Sequence, residues 1–268
     1  MKIQHLEKIL NDITKPELSE AWDNCGFQVV NRKKEVNKIL TALEITDSII
    51  LEAKAHDVDL IVTHHPMIFN SLNTVDSEDV IGNYIHNLIE SEISVYSAHT
   101  NFDRISGGNN DYFGESIGAK NIKAVSFGED FVRTGEITKE DGNLLNCREL
   151  IERISESLCI EESCIRLVGS PDSSCEKICW CTGSGSEFIR EAYNQGFDTY
   201  ITGDIKYHDA MWAMEAGINL IDAGHYGTEK IFKENMAQCL KKVFSNEEIS
   251  NVPEIIVSVT DANPFCKI

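Results

Sequence analysis

The period of the hydrophobic positions changes along the chain, and each change marks an element. Ile3, Leu6, Ile9, Leu10 and Ile13 recur at helical spacing, which predicts an amphipathic opening helix that stops before Pro16. A short apolar strand is expected from Phe27 onward and a second over residues 38–43. Thr46 can cap a helix running to about His56. Residues 59–63 read Asp-Leu-Ile-Val-Thr, an almost continuous apolar run of the kind found in strands buried on both faces. Strand, helix and strand in so short a span imply a parallel βαβ unit. A further helix is expected within 76–91 and a further strand over 93–98.

The second half repeats this plan. A register shift of 139 sets Lys38-Ile39 on Lys177-Ile178, Ile50 on Ile189, Glu52-Ala53 on Glu191-Ala192, Asp59 on Asp198 and Thr63 on Thr202. No gap is needed from residue 38 to residue 63. The expected fold is α/β: two similar α/β lobes related by a pseudo-twofold, with mixed sheets flanked by helices and a metal site in the cleft between them. The first lobe is expected over 1–125 and the second over 126–268. No low-complexity linker separates them, so they should pack as one unit.

Composition narrows the class. The chain has 268 residues, 42% hydrophobic and 25% charged, an ordinary soluble balance. Lys and Arg number 24 against 44 Asp and Glu, for a formal charge of −20. Such a surface repels the nucleic-acid backbone and anionic membranes alike, so neither is an expected partner. The mixed polar start is unlike a signal peptide, and no apolar run approaches bilayer length. Nine cysteines in a chain this large read as reduced thiols of a cytoplasmic protein.

Ligands of parallel α/β sheets bind beyond the carboxyl ends of the strands, and three predicted strands end in candidate ligands. Residues 59–63 run into His64-His65-Pro66, residues 93–98 into His99-Thr100-Asn101-Phe102-Asp103, and residues 218–223 into Gly224-His225-Tyr226-Gly227-Thr228-Glu229. In the last two a His precedes an acid by four residues, which sets both on one face of a turn. His64, His65, Asp103, His225 and Glu229 are therefore candidate metal ligands. Their N and O donors suit Zn, Fe, Mn or a similar divalent ion. Neighbouring strand residues point oppositely, so His64 and His65 share one site only if the backbone bends there. His99 is a candidate ligand, a partner to a ligand, or a proton carrier.

Other features admit two readings. Gly183-Ser184-Gly185-Ser186 follows a predicted strand and is either a phosphate cradle or a tight strand-to-helix turn. Asp204, Lys206, Tyr207 and His208 occupy the second-half position matching the His64-His65 turn and are candidate substrate or acid–base groups. Cys175, Cys179 and Cys181 are spaced like thiolate ligands but read better as core thiols. His5, His56 and His86 fall in helical segments and should be solvated.

The segments Trp22-Asp23-Asn24-Cys25-Gly26, His64-His65-Pro66, His99 to Asp103 and Gly224 to Glu229 resemble the Nif-three-like family, whose bacterial members are often labelled GTP cyclohydrolase 1 type 2 homologues. Their order and spacing match over nearly the whole chain. The resemblance implies two divalent metal ions per chain, with His64 and His225 on one, His65 and Asp103 on the other, and Glu229 bridging. It also implies a toroidal homohexamer with metal sites facing an internal cavity. Cys25 stands where many relatives carry Val, a small exchange away from the ligands. Residues 104–176 are too few for the inserted domain of some relatives, so this is the compact form.

Metal-dependent hydrolysis of a small molecule, possible for a nucleotide, follows as the expected activity. A hydroxide would be held between the ions, with His99 or His208 carrying the proton. The alternative is a non-catalytic metal-binding, metal-chaperone or scaffold protein.

Overall fold

The computed structural model describes residues 1–246 and 251–265; Cys266 lies outside the described residues. The chain forms two compact units, Met1–Ile105 with Phe232–Ile268, and Ser106–Ile231. The division therefore falls elsewhere than at 125/126, and the chain returns to its first unit at the end. Pairing explains the return, because the terminal strand Glu254–Val257 runs parallel beside Lys38–Ala42.

In the first unit, strands β1 (Gly26–Val29), β2 (Lys38–Ala42), β3 (Leu60–Thr63) and β4 (Ser94–Ser97) join the terminal strand in the order β1-β4-β3-β2-terminal. All pairs are parallel except β1 with β4. Successive residues point to opposite faces, and both faces are covered. Ile39, Leu60, Val62 and Tyr96 pack under helices Ile3–Thr14 and Phe232–Asn246, through Leu6, Leu10, Phe232, Met236 and Leu240. Leu40, Ile61 and Val95 pack under helices Asp47–Ala55 and Val80–Glu90, through Ile49, Ile50, Ala53, Ile85 and Leu88. The continuous apolar run of β3 is thus the consequence of a three-layer sandwich. Each fully buried Leu or Ile contributes about 1.5–3 kcal/mol. Thr46 caps its helix as expected, accepting from the Ile49 amide at 3.2 Å.

The second unit has its own mixed sheet. Strands β5 (Lys120–Ala124), β6 (Arg133–Glu136), β8 (Arg166–Val168), β10 (Ile178–Ser184), β11 (Thr199–Gly203) and β12 (Asn219–Asp222) lie in the order β5-β6-β10-β11-β12-β8. The short pair β7 (Leu145–Asn146) and β9 (Ser174–Cys175) stands apart. β10, β11 and β12 are parallel, with antiparallel edges. Trp180, Ile201 and Ile221 face helices Asn109–Ser116 and Cys147–Leu158; Cys179, Tyr200 and Leu220 face helices Ile189–Asn194 and Tyr207–Ala216. Cys175, Cys179 and Cys181 are all buried core thiols.

The residues matched by the 139-residue shift perform matched tasks. Asp59 accepts from the amides of Asn37 and Lys38 at 2.7 and 3.1 Å. Asp198 accepts from the amides of Glu176 and Lys177 at 3.1 and 2.8 Å. In each unit one aspartate at a strand entrance therefore ties down the start of its neighbour. Ile50 and Ile189, like Ala53 and Ala192, are buried on the helix between those strands. Among the described residues no helix is long and apolar enough to cross a membrane.

Asp59→Ala strands two amides and should destabilise the protein by about 2–4 kcal/mol in denaturant melts. Asp59→Asn keeps one acceptor oxygen and loses only the 3.1 Å ion pair with Lys34, so it should cost less than half as much. Equal losses for both would contradict the anchoring role.

Candidate metal centre

The first group of candidate ligands grows from the ends of β3 and β4. The amides of His64 and His65 both donate to the Leu43 carbonyl, each at 3.0 Å. A shared acceptor ends the alternation of the strand, and the two rings lie 5.1 Å apart and tilted by only 37°. This is the backbone bend that a common site requires. The Thr63 hydroxyl secures the bend by donating to the His65 carbonyl at 3.0 Å.

His64 is fully buried, with Phe232 against its ring at 5.0 Å. Its Nδ1 lies 2.8 Å from the Ala98 carbonyl. A carbonyl only accepts, so Nδ1 carries the proton and Nε2 keeps its lone pair. Asp103, buried on helix Thr100–Arg104, puts Oδ2 3.6 Å from that Nε2. That separation exceeds a hydrogen bond.

His99 follows β4 and repeats the device. Its Nδ1 meets Asp23 Oδ1 at 3.0 Å. The Asp23 carboxylate also accepts from the amide and hydroxyl of Thr100 and from the Cys25 thiol. Burial of Asp23 opposes its ionisation, but the hydrogen bond and charge of His99, with Thr100 and Cys25, hold it well below the usual carboxylate range. Burial pushes the Cys25 thiol up to about 11, so Cys25 is a neutral donor here. His64, His65 and His99 each offer a ligand atom, all within 4.8 Å of one another.

The second unit carries the other group. β12 ends at Asp222, and the short helix His225–Glu229 follows. Nε2 of His225 lies 2.8 Å from Glu229 Oε2, and Nδ1 lies 2.8 Å from Asp204 Oδ2. The hydrogen bond to Glu229 is the largest influence on His225. Burial opposes it, the charges of Glu229 and Asp204 reinforce it, and the imidazolium is pushed up to about 10. A carboxylate on Nδ1, as Asp204 is here, is the arrangement that orients metal-ligating histidines, and it turns Nε2 toward Glu229.

The glycines nearby create room for these side chains. A Cβ on Gly183, whose φ is +69°, would lie 2.0 Å from Glu229 Oε1. A Cβ on Gly203 would lie 2.5 Å from the His225 amide nitrogen. The amides of Gly183 and Gly185 donate to the hydroxyls of Thr228 and Thr202, each at 2.9 Å. Those amides are therefore committed inside the protein. Gly183 and Ser184 end strand β10, and two of the four amides of Gly183-Ser184-Gly185-Ser186 are thus held by threonine hydroxyls.

Sequence spacing brings His64, His65, His99 and Asp103 together in one unit, and His225 with Glu229 in the other. Lys206, Tyr207 and His208 stand exposed at the start of helix Tyr207–Ala216. His5, His56 and His86 are exposed, as expected. Sequence reasoning missed Asp23 and Asp204 as holders of imidazole. The Trp22-Asp23-Asn24 segment signalled the first. Asp204, at φ +55°, was marked by its position after a strand as a candidate substrate or acid–base group, not as the partner of His225.

This fold and its histidine-bearing strand ends define a mixed α/β protein with side-chain groups suited to a divalent metal. Residues 1–264 match the family model described as Duf34/NIF3 (NGG1p interacting factor 3). A Clostridium perfringens protein named GTP cyclohydrolase 1 type 2 homolog is 35% identical over 270 residues, covering 99% of both chains. A Helicobacter pylori protein named GTP cyclohydrolase 1 type 2 is 35% identical over 234 residues, covering 87% of this chain and 88% of its own. The crystal structure of a hypothetical protein of Staphylococcus aureus is similar at TM-score 0.90 and 28% identity, covering 100% of this chain and 99% of that one. The chain belongs to the Duf34/NIF3 family.

Asp204→Asn should weaken zinc binding by about 10- to 100-fold in competition titrations against a chromogenic chelator, without unfolding the protein. Unchanged affinity would remove Asp204 from the account. The lowered pKa of Asp23 gives an acid dependence of defined sign: its contribution to stability is present above the unfolded value near 3.8 and is lost as pH falls below it. Asp23→Asn should therefore be less stable than the parent near neutrality but lose less on acidification to about pH 3, as denaturant melts at each pH would measure.

Proposed function

We propose that this protein is a dinuclear divalent-metal hydrolase of the cytoplasm acting on a small molecule. The observation that carries the reading is the convergence of His64, His65 and His99, with Nδ1 of His64 and of His99 each committed to a fixed acceptor. Relatives named GTP cyclohydrolase 1 type 2 make a nucleotide the first substrate class to test. The two units would be related by a pseudo-twofold and would bring their ligands to one cleft, and six copies would form a ring.

The donors fit hard-to-borderline divalent ions, being imidazole nitrogen and carboxylate oxygen without thiolate. His64 and His225 would hold one ion, His65 and Asp103 the other, and Glu229 would bridge. When bound, such a pair supplies Lewis acidity and lowers the pKa of water. His99, steadied through Nδ1 by Asp23, is left with Nε2 to take and return a proton. His208 is the weaker candidate, standing on an exposed helix start. Burial of His64 and Asp103 excludes water from that side of the group and strengthens charge interactions there.

Protein purified without chelator should carry about two divalent ions per chain by elemental analysis, and His64→Ala or Glu229→Gln should lower that content. Supplied with Mn, Fe or Zn, it should hydrolyse a member of a nucleotide and ester panel, with chelator abolishing turnover. Metal-free protein would sink the metal reading. Full metal content with no turnover across the panel would instead favour a binding, chaperone or scaffold role.

A further inference from the structure

The first unit holds two large aromatic side chains out in water beside its histidines. Trp22 is 57% exposed and Phe69 49% exposed. Their ring centroids are 5.7 Å apart at an angle of 48°, an open wedge rather than a closed stack. Both meet the edge of the same imidazole, His99, at 6.1 Å for Trp22 and 6.4 Å for Phe69. His64 is fully buried, whereas the His99 side chain keeps 15% of its surface exposed. Both exposed rings thus border the partly exposed imidazole of His99.

The pair is held in place. Asn24 Nδ2 donates to the Ile68 carbonyl at 2.7 Å, and the Ile68 amide donates to Gln28 Oε1 at 3.0 Å. Gln28 Nε2 donates back to the Asn24 carbonyl at 2.6 Å. These bonds tie the loop carrying Trp22 to the loop carrying Phe69, which spans 64–79 and begins with the histidines themselves. Asp23, between Trp22 and Asn24, fixes His99. Three successive residues thus set an exposed ring, the imidazole below it and the opposite loop. Exposed aromatics fixed at such a cost in solvation mark a binding surface rather than a core.

We propose that Trp22 and Phe69 form a subsite for a planar aromatic ring, so that a ligand seated there presents its polar substituent to His99. Stacking suits this wall because any aromatic ring offers a π face and an apolar body. The ligand class is a small molecule with a flat heterocycle at one end and a hydrolysable or metal-binding group at the other. The subsite deepens the hydrolase reading by naming the non-reacting end of the substrate, but ring binding is measured independently of turnover.

Tryptophan fluorescence of the full-length, metal-loaded protein reads it directly. Trp180 is fully buried, and Trp212 sits beneath Arg190 at 4.5 Å, so an external ring quenches chiefly Trp22. Adenosine and guanosine should quench saturably, and ribose should not. In equilibrium dialysis with labelled adenosine, Trp22→Ala should lower affinity about tenfold and Phe69→Ala severalfold, with thermal stability kept because both side chains are exposed. Three results would overturn the subsite: no ring-dependent saturable quenching, unchanged affinity in Trp22→Ala, or a smaller oligomer in both variants with ring binding intact. The last would assign the rings to contact between copies of this chain. Ring binding in protein that carries metal but hydrolyses nothing would uphold the subsite and sink the hydrolase. Hydrolysis of a ring-free ester without ring binding would do the reverse.

Discussion

An imidazole has two nitrogens, and committing one decides what the other can do. This constraint organises both candidate groups. The carbonyl of Ala98 takes Nδ1 of His64, Asp23 takes Nδ1 of His99, and Asp204 takes Nδ1 of His225. For His64 the carbonyl leaves Nε2 with its lone pair, whereas His225 is held by carboxylates on both nitrogens, Asp204 on Nδ1 and Glu229 on Nε2. The acceptors lie at or beside the carboxyl ends of parallel strands, where the regular ladder stops. Side chains held this way are preorganised, and as candidate ligands they would need little further ordering to take a cation.

The strands must end in register for that to work. Asp59 and Asp198 anchor the entrances of equivalent strand pairs, so β3 and β11 each leave their sheets at a defined height. At the exits, sterics take over. Leu43 gathers two successive amides to turn the chain at His64-His65, and Gly183 and Gly203 vacate the space that Glu229 and the His225 backbone occupy. Packing on both faces of each sheet makes these exits stiff. A shift of even one residue would exchange the two faces of a strand and misplace every ligand beyond it.

Much of this was legible along the chain. Continuous apolar runs gave the buried strands, the 139-residue shift paired Asp59 with Asp198, and His or Asp just beyond a strand gave the candidate ligands. Relationships across long sequence distances were not legible. Asp23 meets a histidine 76 residues away and Asp204 one 21 residues away, and no local pattern connects them. The return of the terminal strand to β2 was hidden for the same reason, since pairing partners are not written in a strand's own sequence. Gly183 left two readings open because glycine answers two needs, an open amide for an anion or an absent Cβ for a neighbour. The position of Glu229, which a Cβ on Gly183 would meet at 2.0 Å, shows that the second need is present.

The central claim is that fixed acceptors on Nδ1 direct Nε2 of these histidines toward a divalent ion. Anomalous diffraction from crystals grown with zinc tests it most directly. The account predicts peaks about 2.0–2.1 Å from Nε2 of His64 and of His225. Their Nδ1 atoms should remain on the Ala98 carbonyl and on Asp204. Coordination through Nδ1, or no ion at the strand-end histidines, would contradict it.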